Sequence, residues 1–133
     1  MHNPNIVRTT FIVAGIVGLV FGLLFLLAAS QAITASELGD PTLAARLFAR
    51  STGAAIIALS VANLLAAFDR GSRALRALAI GNVVIHVLSI AVDFSESYPR
   101  NAGVWVGLAV HVILIAAFGY CLVHWREMTT RAM

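Results

Sequence analysis

The sequence predicts an all-α fold, a four-helix transmembrane bundle forming a single domain (residues 1–133) with both termini in the cytoplasm. Three observations predict it. Hydrophobic residues make up 60% of the chain and charged residues 11%, against roughly 25% charged in a soluble domain. Four apolar stretches, each able to cross a hydrocarbon core of about 30 Å, alternate with short polar segments. The arginines are unevenly shared among those segments, as positive-inside sorting requires.

The first helix is expected at about 8–30. Its uncharged run Phe11–Ala29 reaches about 28 Å as a helix. Ser30-Gln31-Ala32 would pass as a signal-peptide cleavage site, but the apolar core of a signal peptide is shorter, about 7–15 residues. A retained helix is the expectation. Ala14, Gly18 and Gly22 recur every fourth residue, a small-residue seam that lets another helix backbone come close.

Gln31 to Asp40 forms a polar connection carrying Glu37 and Asp40. Asp40-Pro41 reads as an N-cap with proline in the first turn, so the second helix is expected at about 41–68. Arg46 and Arg50 share one face with Gly53 and Ser60, while Asn63 is turned away by about 60–100°. Asp69-Arg70-Gly71-Ser72-Arg73 is a tight turn.

The third helix, at about 74–94, carries the most informative pattern. Asn82, His86, Ser89 and Asp93 follow one another at helical spacing, with only Val, Ile, Leu and Ala between them. On a helix they lie within about 60° of one another. A polar line on a lipid-like helix is costly unless it faces protein or enclosed water. The fourth helix, at about 103–125, is bracketed by Trp105 and Trp125, which suits an aromatic belt at each interface.

Topology follows from counting. With both ends inside, the cytoplasmic side holds Arg8, Arg70, Arg73, Arg76, Arg126 and Arg131, and the outside holds only Arg46, Arg50 and Arg100. All nine basic residues are arginine. With so much alanine, that composition points to a GC-rich bacterial genome and hence to the bacterial inner membrane. The net charge of +3 forms no patch, so nucleic acid is not an expected partner. The single Cys121 excludes an intramolecular disulfide and CxxC redox chemistry.

Helices two and three, joined by a short turn, should be antiparallel neighbours. Folding at Gly71 sets Asp93 level with Arg50, a candidate ion pair, and Asn82 level with Ser60 or Asn63, a candidate polar staple worth about 0.6 kcal/mol. His86 and His111 could face each other near the outer half, although their depths differ by roughly 5 Å. Arg50, His86, Ser89, Asp93 and His111 thus make up a candidate polar pocket among helices two, three and four. Paired imidazoles are what a bis-histidine haem b requires, but the surroundings are aliphatic, and no cofactor is the expectation. A histidine bonded to a polar neighbour and a proton-relay or ligand-contact role are the other readings. No helix carries two metal ligands one turn apart, so no metal site is expected. Motifs of hydrolases, NTPases and zinc enzymes are absent from the sequence, so no enzymatic activity is expected.

Several four-helix families can be set beside the chain. Small multidrug-resistance transporters need a carboxylate inside the first helix, and Phe11–Ala29 has none. Fluoride channels carry an early Gly/Arg motif, and vitamin K reductase-like proteins need paired cysteines; neither is present. The glycine-rich first helix, the Arg46-Leu-Phe-Ala-Arg50-Ser-Thr-Gly53 opening of helix two and the His86-bearing third helix resemble small bacterial four-helix inner-membrane proteins of unknown function. That resemblance implies the fold alone. The leading expectation is a non-enzymatic accessory or structural subunit, with the bilayer and a protein partner or second copy as its surroundings. A binding module for an apolar small molecule, lipid, quinone or haem is the alternative. An oligomeric transporter or channel is the third.

Overall fold

A computed structural model of the protein describes residues 4–35, 40–69, 72–95 and 102–124. The described residues form five α-helices: α1 (Pro4–Leu27), α2 (Ala29–Ala35), α3 (Leu43–Ala66), α4 (Arg73–Ser95) and α5 (Ala102–Val123). Four of them, all but α2, are long and apolar enough to cross a membrane.

The boundaries differ from the sequence reading in three places, each with a local cause. First, α1 starts earlier, at Pro4, because a first-turn N–H has no helical partner and proline forfeits nothing there. Second, the stretch after Ala28 is helical as α2, where a polar connection was expected from Gln31. The amide of Ala28 donates to Leu24 O at 2.9 Å and that of Ala32 to Ala28 O at 2.9 Å, so hydrogen bonding bridges the break. Ala-Ser-Gln-Ala-Ile-Thr-Ala is rich in the strongest helix former, and its three polar side chains do not outweigh that. Third, the cap of α3 is Thr42 rather than Asp40: its hydroxyl accepts from the Ala45 amide at 3.1 Å. Glu37 and Trp125 lie outside the described residues, as do Arg70 and Gly71.

Ser72 caps α4, accepting from the Leu75 amide at 3.2 Å, while Asp69 accepts from the Ser72 amide at 3.2 Å. These bonds hold the α3–α4 turn. They do not make α3 and α4 close neighbours along their length, as the sequence reading required. The extensive pairings are α1 with α3 and α4 with α5.

The reason lies in side-chain size on α1. A Cβ placed on Gly53 of α3 would come within 2.7 Å of the Gly22 carbonyl oxygen and 2.7 Å of the Leu26 amide nitrogen. One placed on Gly15 would meet the Leu64 side chain at 2.6 Å, and one on Gly18 would run into the Ser60 hydroxyl. The two backbones approach as only glycine permits, so α3 lies along α1. The seam is therefore Gly15, Gly18 and Gly22. Ala14, assigned to it from the sequence, is buried instead with the core cluster of Val7, Phe11, Ala67, Leu75, Ala79, Leu114, Phe118 and Cys121.

That cluster draws on α1, α4, α5 and Ala67, the residue that caps α3, and all of it sits at one end of the bundle. We call this the core end. Here α1 meets α5 through Phe11 and Phe118, both fully buried, in an edge-to-face contact with ring centroids 5.2 Å apart. Arg8 lies over the Phe68 ring at 5.0 Å, tying α1 to the end of α3. On α4 no residue beyond Asn82 is buried, and on α5 none before Leu114. At this opposite, open end the two helix pairs part company.

Cys121 is fully buried in the core end. A small maleimide is expected to leave Cys121 unlabelled in the folded protein and to label it stoichiometrically in hot dodecyl sulfate, read by intact mass. Fast labelling in mild detergent would contradict the packing of α5 against α1.

Candidate functional site

The polar residues singled out from the sequence separate into three places. The first is the core end. Asn63 on α3 and Asn82 on α4 face each other as reciprocal amides: Asn63 Nδ2 donates to Asn82 Oδ1 at 3.1 Å, and Asn82 Nδ2 donates to Asn63 Oδ1 at 2.8 Å. The second N–H of Asn82 donates to the Leu78 carbonyl at 2.9 Å. Both side chains are 1–2% exposed, so little water competes for these bonds. Ser60 takes no part. Buried at the α1 seam, it donates to its own helix at Ile56 O, 2.7 Å away.

The second place lies between α4 and α5. His86 Nδ1 and His111 Nδ1 are 2.8 Å apart, with ring centroids 5.1 Å apart and the planes tilted by 46°. The depth offset inferred from the sequence is absorbed by the relative register of the two helices. Ser89, one turn beyond His86, donates to Ile85 O at 2.9 Å. Asp93 lies a further turn along α4. All four side chains are partly buried, facing along the α4–α5 pair rather than into the core.

Arg50 stands apart as the third. It is exposed on α3, a helix that packs extensively on α1 and not on α4. Because the glycine seam holds that half of α3 against α1, its N-terminal turns diverge from the C-terminal turns of α4. The candidate pocket among helices two, three and four is corrected accordingly: Asn63–Asn82 closes the core end, and His86, Ser89, Asp93 and His111 line α4–α5 without Arg50.

The distance between the imidazoles also bears on haem. Metal–imidazole bonds of about 2.0–2.1 Å keep two nitrogens on opposite sides of one ion about 4 Å apart. At 2.8 Å the two rings are hydrogen-bonded to each other. Among the described residues no three His, Cys, Asp or Glu side chains gather as a metal-binding group. His124, at the end of α5, bonds its own helix at Tyr120 O, 3.0 Å away.

Comparison with protein-family models, curated proteins and solved structures finds no match for the chain. The site therefore has to be read from its own chemistry. Away from it, a groove of about 320 Å³ between α1 and α5 is lined by Asn5, Thr9, Thr10, Val13, Ile113 and Ala117 among others. None of these lining side chains is ionisable. The sequence reading missed Gly15 and the Phe11–Phe118 contact. The Gly15-x-x-Gly18-x-x-x-Gly22 spacing was a visible signal for the first, whereas two phenylalanines among many gave none for the second.

Proposed function

We propose that the protein is a multi-pass component of the bacterial inner membrane, with both termini in the cytoplasm, and a non-enzymatic accessory subunit of a membrane assembly. The observation that carries this reading is the open end. There the α4–α5 pair presents His86, Ser89, Asp93 and His111 partly buried, flanked by exposed Val84, Val87, Leu88 and Val92, and neither α1 nor α3 covers it. Ionisable groups at membrane depth belong against protein or enclosed water, not acyl chains. Another membrane helix, from a partner subunit or a second copy, supplies that cover. The positive-inside count supports the orientation.

Purification in mild detergent, followed by native electrophoresis and mass spectrometry, is expected to give a complex with a stoichiometric partner or second copy. Val87→Trp and Leu88→Trp, which enlarge the uncovered face, should weaken it. A stable monomer that carries no protein and is indifferent to both substitutions would sink the reading. Reporter fusions test orientation separately: a periplasm-dependent reporter should be silent at Gly71 and active near Ser97.

The alternative, a binding module for a lipid or quinone, draws on the α1–α5 groove. A co-purifying lipid or quinone in place of a protein partner would favour it.

A further inference from the structure

We infer that the His86–His111 pair is a shared-proton site: it holds one proton between α4 and α5, and it exchanges protons with its surroundings through the two outward ring nitrogens. The inference starts from the contact of the two Nδ1 atoms at 2.8 Å. An imidazole nitrogen is either a donor with hydrogen or an acceptor with a lone pair. Two Nδ1 atoms at this distance must take opposite roles. In the neutral pair one ring then carries its hydrogen on Nδ1 and the other on Nε2. The first ring offers a lone pair at its own Nε2, and the second offers an N–H.

That asymmetry makes the pair a device for proton exchange. A proton arriving at the lone-pair Nε2 makes that ring an imidazolium. Its Nδ1 proton crosses to the facing Nδ1, and the second ring releases the hydrogen on its Nε2. One proton enters and one leaves, no bond to carbon changes, and the two rings exchange tautomers. Each passage reverses the inter-ring hydrogen bond and readies the pair for passage in the opposite sense. A second proton cannot be held as well, because two imidazolium rings would set two N–H groups and two positive charges against each other at contact distance.

The surroundings suit one charge rather than two. Asp93, two turns beyond His86, is the only acid on α4. On α5 no other ionisable side chain lies between Ala102 and Phe118, and α1, packed against α5, carries only Arg8 at the core end. Arg46 and Arg50 belong to the N-terminal turns of α3, which packs extensively on α1 and not on α4 or α5. This inference does not depend on the accessory-subunit reading; it holds for the chain alone or beside a partner.

The test is nitrogen-15 NMR of the full-length protein, labelled at histidine and embedded in lipid nanodiscs. At neutral pH one ring of the pair should be protonated at Nδ1 and the other at Nε2, with a scalar coupling between the two Nδ1 nuclei. On acidification the pair should take up one proton jointly, where two independent rings would take up two. In His111→Gln, with helicity checked by circular dichroism, the coupling should vanish and His86 should behave as a single ring. Identical tautomers without coupling, independent uptake of two protons, or unchanged His86 signals in the folded variant would each overturn the inference.

Discussion

Gly53→Ala is expected to lower stability by about 1–3 kcal/mol, and Gly53→Leu by more. A single methyl at this position meets Gly22 O and Leu26 N, each at 2.7 Å, and the Phe25 carbonyl carbon at 3.1 Å. All three are backbone atoms of α1, so no rotamer change relieves the overlap. The helices have to move apart, and the van der Waals packing that joins membrane helices weakens along the whole seam. Gly81, Gly107 and Gly119 provide internal controls, because a Cβ at each meets nothing within 4 Å. Alanine there should be neutral or stabilising by about 0.5–1 kcal/mol, through reduced backbone entropy in the unfolded chain. Thermal unfolding in one detergent, followed by Cys121 labelling, ranks all four variants. If Gly53→Ala melts with the controls, the close approach of α1 and α3 is wrong.

Asn82→Leu should cost about 1–3 kcal/mol, chiefly because it strands the buried amide of Asn63. Asn63→Leu should cost a similar amount, although Asn82 keeps its bond to Leu78 O. The double replacement should be less damaging than the two single effects added together, since no orphaned amide remains. The coupling between such side chains in membranes averages about 0.6 kcal/mol and reaches about 1.7. A complete double-mutant cycle measures it directly. Strict additivity would show that the two amides do not depend on each other, and the fastening of α3 to α4 would have to come from apolar packing alone.

The four spans were legible in the sequence because apolar length is a one-dimensional property. The pairing of helices was not. Chain order made α3 and α4 look like partners, yet the choice was made by Gly15, Gly18, Gly22 and Gly53, whose missing side chains let α1 capture α3. The face of the seam was misread for a related reason: Ala14 and Gly15 are adjacent and both small, but only the glycine lies against α3. Depth matching across the turn placed Asn63 beside Asn82, where the helices are still close together. It failed for Arg50 and Asp93, which lie farther from the turn, after the helices have diverged. Errors in direction grow with distance from the point where the chain reverses. The contact between His86 and His111 escaped a firm reading because the loop joining α4 and α5 is long enough to let their register slide.

Among the described residues, the buried contacts that join the two helix pairs lie at the core end, an arrangement like a pair of tongs. α1–α3 and α4–α5 are each stiffened along their own length, and they are fastened to one another by Phe11–Phe118 on one side and Asn63–Asn82 on the other. A helix of 24 residues is about 36 Å long, so a tilt of about 5° at the fastened end opens the tips by about 3 Å. In this geometry the core end sets the angle between the pairs, and the two imidazoles belong together to one arm.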